Sequence, residues 1–156
     1  MHKNSHFFIT FAGNLIFTTM KVLKFGGTSV GSAQRMKEVA SLICDGDQKI
    51  VVLSAMSGTT NTLVEIADYL YKKNPVSANE VINKMEQKYA AVVDELYSKD
   101  ETKAEANSIL KVHFDLLRKF TQNNVFLLFD EKIILAQGEL MSTAMVNLYL
   151  QEIGIK

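Results

Sequence analysis

Apolar and polar positions along this chain follow two rhythms. Val22-Leu23 is a short apolar run leading into Lys24-Phe25, and Lys49–Ser54 (KIVVLS) is a continuous one. Unbroken apolarity of the second kind marks a strand covered on both faces. Between the two runs, Met36, Val39, Ala40 and Ile43 recur at helical spacing, with Ser32 placed to cap and Gly46 to stop. Strand, helix and strand make a βαβ unit, hence a parallel sheet with a right-handed crossover. From Thr60 onward the period is helical throughout. Leu63, Ile66, Ala67 and Leu70 form a stripe that Asn74-Pro75 interrupts. Ser77–Glu80 has the capping-box pattern and opens a helix carrying Val81, Met85, Tyr89, Val92, Val93 and Leu96. Asp100 starts another, with Ile109, Leu110, Leu117 and Phe120 inward. Asp130 starts the last, with Ile133, Ile134, Gln137, Leu140, Met141, Ala144 and Leu148 on its apolar side. Such stripes are ordinary core packing. The predicted class is α/β, rich in helix.

Two strand ends carry chemistry. The strand at 21–25 runs into Gly26-Gly27-Thr28-Ser29. Two glycines permit positive φ and let another group approach the main chain. Backbone amides, two hydroxyls, the N-terminus of the next helix and the ammonium of Lys24 together suit an anion, most naturally a phosphate. Lysine precedes the glycines, so this is neither G-x-x-x-x-G-K-[ST] nor G-x-G-x-x-G. A bare Gly-Gly is otherwise only a tight turn. The second strand ends in Ser54–Asn61 (SAMSGTTN), where Thr60 or Asn61 by itself reads as a helix cap. Both turns fall at the carboxyl edge of a parallel sheet, where ligands bind in such folds. In the last helix Gly138 costs about 1 kcal/mol relative to alanine, which implies a close approach to the backbone. Glu139 beside it is by default a solvated carboxylate, or else a group that holds a ligand's ammonium.

A chain of 156 residues with 47% hydrophobic content suits one domain with a real core. Seventeen basic residues balance seventeen acidic ones, which argues against a general nucleic-acid or membrane-surface binder. Cys44 is the only cysteine, so no internal disulfide is possible, and a reducing cytoplasm is the expected location. It is expected to be a small core residue. His2, His6 and His113 are scattered, and no metal-ligand cluster is expected. Phe7–Phe17 is apolar and follows Lys3, but it is short for a bilayer span, is interrupted by Gly13-Asn14 and lacks a small-x-small cleavage site. Residues 1–19 are therefore expected to lie outside the fold, with Met20 the functional start. Glu152–Lys156 reads as a helix end with a glycine stop, followed by the first residues of a new strand.

Lys24–Val30 (KFGGTSV), Ser54–Asn61 (SAMSGTTN) and Gly138–Ser142 (GELMS), in that order, resemble aspartokinases of the amino-acid kinase superfamily. The similarity covers 20–156 and corresponds to the N-terminal part of the catalytic domain. It implies an incomplete αβα sandwich around a mainly parallel sheet, with the C-terminal part and the ACT regulatory domains lying beyond this sequence. The implied reaction converts ATP and L-aspartate to ADP and 4-phospho-L-aspartate, opening the route to lysine, threonine, methionine and diaminopimelate. By resemblance, Lys24 stands at the transferred phosphate and Gly26, Gly27, Thr28 and Ser29 form the phosphate-facing turn. Ser54, Thr60 and Glu139 match aspartate-binding positions, Glu139 at the amino group. The partners implied are ATP, Mg²⁺ and L-aspartate, with most of the ATP and Mg²⁺ site in the part not present, and a homo-oligomeric parent. No nucleic-acid or membrane partner is expected. The competing expectation is an inactive truncated fragment or a partner-dependent half that keeps only the aspartate- and phosphate-binding elements.

Overall fold

The computed structural model describes residues 6–11 and 14–155, with side chains from Met20 onward. His2, Lys3 and Gly13 lie outside the described residues. The elements are β1 (His6–Phe11), β2 (Asn14–Thr19), β3 (Lys21–Phe25), α1 (Ala33–Ile43), β4 (Lys49–Leu53), α2 (Thr59–Tyr71), α3 (Pro75–Leu96), α4 (Asp100–Thr121) and α5 (Leu128–Glu152). β1 and β2 pair as an antiparallel hairpin and form a sheet of their own. The βαβ unit forms as expected: β3 and β4 run parallel, in register from Lys21↔Lys49 to Phe25↔Leu53, with α1 between them in sequence.

Strand β4 departs from the expectation of burial on both faces. Leu53 is buried, but Ile50 is 49% and Val52 42% exposed, and Val22 on β3 is 62% exposed. Side chains alternate across a strand, so one face of this two-stranded sheet is covered and the other is open among the described residues. Apolarity of a strand reports what both faces can bury, not which face is covered within one stretch of chain.

The helices supply most of the core. α2 packs on α3, α3 on α4, α4 on α5 and α5 on α2, so these four close a ring, with α1 against α3 and α5. The stripes read from the sequence point inward: Leu63, Ile66, Ala67 and Leu70, then Met85, Tyr89, Val93 and Leu96, then Leu110, Leu117 and Phe120 are all buried. Tyr89 and Phe114 meet edge to face at 5.8 Å. Helix α5 is long and apolar enough to span a bilayer by composition. It lies instead against α1, α2, α4 and β4, and neighbours on several sides account for its apolarity. Leu140 is the exception on its inward list, at 51% exposed.

Several helix ends differ from the sequence reading. Asn74, not Ser77, caps α3: its Oδ1 accepts the Ser77 N–H at 3.1 Å, and Pro75 takes the first helical position, where no N–H is needed. Asp130 lies three residues inside α5 and reaches back to accept the Leu127 N–H at 2.9 Å. Cys44 is exposed, because α1 ends at Ile43 and Cys44 is already its C-cap. At the end of α5, Gly154 adopts φ +84°, and the N–H groups of Gly154 and Ile155 donate to Gln151 O and Leu150 O, a glycine-terminated stop.

Lys99 opens α4 without a side-chain cap of its own. Glu152, from the end of α5, supplies one. Its carboxylate accepts the Ser98 N–H at 2.9 Å, the Ser98 hydroxyl at 3.1 Å and the Lys99 N–H at 3.2 Å. Desolvation works against the charged form, but these bonds and one from the Thr102 side chain outweigh it, and the Glu152 pKa falls below its ordinary value. Glu152→Ala is expected to cost about 1 kcal/mol, the usual value of a cap. A depressed pKa contributes stability above the unfolded-state value, about 4.3, and loses it as pH falls through the folded-state value. Thermal unfolding should thus show the gap between variant and parent closing below that range; a gap indifferent to pH would deny the charged cap.

Candidate active site

Three segments distant in sequence meet at Ala55. From β3, the ladder runs on through the Ser54 N–H, which donates to Phe25 O at 3.0 Å. The chain then turns at Gly26–Ser29, closed by the Ser29 N–H on Gly26 O at 2.9 Å. Positive φ is not why glycine stands here, since neither Gly26 nor Gly27 adopts it. A Cβ on Gly27 would come within 2.8 Å of Ala55 O, so the backbones of the two turns touch only because this residue has no side chain. A Cβ on Gly26 would meet nothing within 4 Å. Gly26 thus leaves open space next in sequence to the Lys24-Phe25 strand end. Helix α1 begins only at Ala33, and the Ser32 hydroxyl already accepts the Arg35 N–H at 3.3 Å. The N-terminus of α1 is thus separated from the turn by Val30–Ser32 and already has a side-chain cap.

The third segment comes from α5. A Cβ on Gly138 would lie 2.7 Å from Ala55 Cβ, 3.2 Å from Thr59 Cγ2 and 3.3 Å from Leu63 Cδ1. The close approach inferred from a mid-helix glycine is thus made by the second turn and the start of α2. One helical turn on, the Ser142 hydroxyl donates to Ser54 O at 2.7 Å and sits 3.2 Å from Glu139 O. Gly27 and Gly138 consequently press on Ala55, from the first turn and from α5.

The expected site residues take up recognisable places around this junction. Lys24, at the end of β3, and Thr28, in the turn, are exposed, and Ser29 is half-buried. Ser54 is half-buried and held at both its N–H and its carbonyl. Thr60 is exposed in the first turn of α2, directly after the buried Thr59. α2 starts at Thr59 rather than being capped by Thr60 or Asn61; its N-cap is Gly58, at φ +81°. Glu139 is exposed beside Gly138, and its charge contributes to raising the Tyr89 hydroxyl pKa to about 12, behind the larger effect of burial.

Two residues that the sequence marked as nothing special also reach the second turn. Tyr89 shares a 3.0 Å hydrogen bond with Thr59 Oγ1, and the Lys88 ammonium donates to Ser57 O at 2.9 Å. Tyr89 belongs to an apolar stripe and Lys88 to a polar face, so neither carries a signal without the fold. A cavity of about 260 Å³ lined by Thr59, Thr62, Glu65, Lys84 and Lys88 flanks this turn. The larger one, about 340 Å³, lies at the far end of α2, against Lys73–Pro75 and Thr121–Phe126, and holds none of the expected site residues. Lys24 is exposed and the backbone at Gly26 is open, groups of the kind that could hold a phosphate. Among the described residues no three acidic, imidazole or thiol side chains gather into a metal-ligand group.

The chain is similar to known proteins over most of its length. Aspartokinase 1, a chloroplastic protein of Arabidopsis thaliana, is 35% identical over 144 residues, which cover 86% of this chain and 24% of that protein. An aspartate kinase of Pseudomonas fluorescens is 54% identical over 50 residues, 30% of this chain and 12% of that protein. The crystal structure of Escherichia coli aspartokinase III in complex with lysine and aspartate superposes with a TM-score of 0.71 at 28% identity, covering 88% of this chain and 30% of that one. The same enzyme with aspartate and ADP gives a TM-score of 0.68 at 28% identity, covering 85% and 29%. The chain thus spans about a sixth to a quarter of the length of the curated relatives it matches over most of its own length. Residues 19–156 match the amino acid kinase family as a whole, and the chain belongs to that family.

Proposed function

We propose that this chain carries the N-terminal part of an aspartate kinase site, where the γ-phosphoryl group of ATP passes to the side-chain carboxylate of L-aspartate. The observation that carries the reading is the junction at Ala55. Gly27, Ser54 and Gly138 come together there, so the phosphate-type turn and the segments bearing Thr60 and Glu139 border one place. A solved relative holds aspartate and ADP, the acceptor and the product nucleotide of this reaction, which supports the reading.

In this reading the carboxylate attacks the γ-phosphorus and ADP leaves. The reacting groups are both anionic, and the transition state spreads negative charge over the equatorial oxygens. The Lys24 ammonium, the amides of Gly26, Gly27 and Thr28 and the Ser29 hydroxyl meet that charge, as an oxyanion hole does. Ser54 and Thr60 orient the aspartate, and the Glu139 carboxylate pairs with its ammonium. Lysine, threonine, methionine and diaminopimelate synthesis then lies downstream, in a cytoplasmic enzyme whose parent is a homo-oligomer. As the resemblance implies, Mg²⁺ would screen the phosphates when bound, with most of its site in the C-terminal part of such enzymes.

A second reading is favoured by the open sheet face. Val22, Ile50 and Val52 are exposed, and β3 and β4 pair only with each other among the described residues. A face of this kind suits a half that works only when further chain covers it. Hydroxylamine traps an acyl phosphate as the hydroxamate and separates the two. Hydroxamate that requires both ATP and L-aspartate supports catalysis by this chain. Its absence, with activity restored by a complementing C-terminal segment, supports the dependent half. Absence under both conditions overturns the proposal.

A further inference from the structure

We infer that Tyr89, assisted by Lys88, is a positioning residue for the aspartate-binding turn: adjacent residues of α3 hold the second turn from outside it and so set where Thr60 stands. The inference deepens the aspartate kinase reading and rests on it for the identity of the substrate.

The start of α2 is poorly held by its own sequence. Its N-cap is Gly58, which has no side chain to take up the free N–H groups of the first turn and itself sits at φ +81°. Local support consists of the Thr59 N–H on Met56 O at 2.9 Å and of the Thr62 N–H and hydroxyl, both on Gly58 O at 3.1 Å. The other ties come from α3. Lys88 Nζ donates to Ser57 O at 2.9 Å, on one side of Gly58. Tyr89 OH bonds Thr59 Oγ1 at 3.0 Å, on the other. Tyr89 is itself immobilised, with no exposed surface and its ring edge to face with Phe114.

The geometry of a helix turns this into positioning. Successive residues of an α-helix point about 100° apart, so a threonine hydroxyl fixed inward at 59 fixes the direction of residue 60 outward. Thr59 is 1% exposed and Thr60 is exposed, as this requires. The same Thr59 has its methyl beside the Gly138 backbone, so the pin also bears on the segment that presents Glu139. Glu139 lies close enough for its charge to act on the Tyr89 hydroxyl. Without the phenol oxygen, Thr59 Oγ1 is buried with one partner fewer, and the first turn of α2 gains freedom to rotate.

The test is Tyr89→Phe, which removes one oxygen and keeps the ring, with Lys88→Ala as a second variant on the exposed side of the pin. Amide hydrogen exchange across residues 56–62 is read first, because it needs no substrate. Exchange there is expected to quicken about five- to tenfold in Tyr89→Phe, the loss of about one net hydrogen bond, while the middle of α3 keeps its protection. L-Aspartate affinity, by calorimetry and as KM wherever turnover is measurable, should weaken by a similar factor, with kcat and the KM for ATP little changed. A merely structural role would lower the melting temperature and spread faster exchange over the whole core, without selectivity for aspartate. That outcome, or unchanged exchange at residues 56–62, overturns the inference. If the parent, as chain alone or complemented, binds no L-aspartate, the functional reading fails and the substrate part of the inference with it; localised exchange would still support the pin itself.

Discussion

Lys24→Ala is expected to lower aspartyl phosphate formation by about 10²–10³-fold, the usual loss when one donor to a developing negative charge is removed. The effect should fall on kcat, because Lys24 is proposed to act where the carboxylate and the γ-phosphate approach each other and their charges repel. Binding of L-aspartate should change little, since its proposed contacts are Ser54, Thr60 and Glu139. Lys24 is exposed at the end of β3, so its loss should leave stability within about 0.5 kcal/mol, as for other surface substitutions. Hydroxamate kinetics, run on the form of the protein that turns over and paired with thermal unfolding, makes the comparison. Near-normal turnover in a folded Lys24→Ala protein would remove this residue from the reaction.

Gly138→Val should do its damage through packing. Its added Cβ would stand 2.7 Å from Ala55 Cβ, closer than real Cβ atoms come, with Thr59 and Leu63 closing the other sides. Overpacking at such a point costs about 3 kcal/mol at the upper end of its usual range. For a chain of this size that is roughly 6–12 °C in melting temperature. Gly138→Ala sets two effects against each other. Helix propensity gains about 1 kcal/mol, and the collision with Ala55 opposes it. Ala55→Gly added to Gly138→Ala removes the opposing methyl, so the double variant should be more stable than additivity predicts. If Gly138→Ala alone proves more stable than the parent, the contact with Ala55 is not what requires glycine there.

Much of the fold could be read before the structure, and the parts that could not share a cause. Helical stripes such as Leu63, Ile66, Ala67 and Leu70 are repeated several times over, so an error at one residue leaves the face intact. Boundaries depend on single hydrogen bonds, which spacing along the chain does not resolve. Asn74 and Ser77 are both good caps by residue type, and Pro75 at the first helical position goes with Asn74. Cys44 followed an apolar face and is exposed because α1 ends one residue earlier. The open face of β4 could not be anticipated, since Ile50 and Val52 look the same whether covered or not.

By itself, the sequence determined the order of the elements from Lys21 onward, the inward stripes of the helices, the parallel pairing implied by strand, helix and strand, and the three motifs that resemble aspartokinases; the β1–β2 hairpin was not among them. Those properties are local: they follow from spacing along the chain and from what each residue type does to its own backbone. Only the tertiary structure decided what the glycines are for. Gly27 and Gly138 are bare because Ala55 lies against both, and Glu152 caps a helix begun more than fifty residues earlier. Lys88 and Tyr89 hold a turn about thirty residues before them. Contacts of that kind join residues through space, and no periodicity within either segment records which distant atom the other will meet.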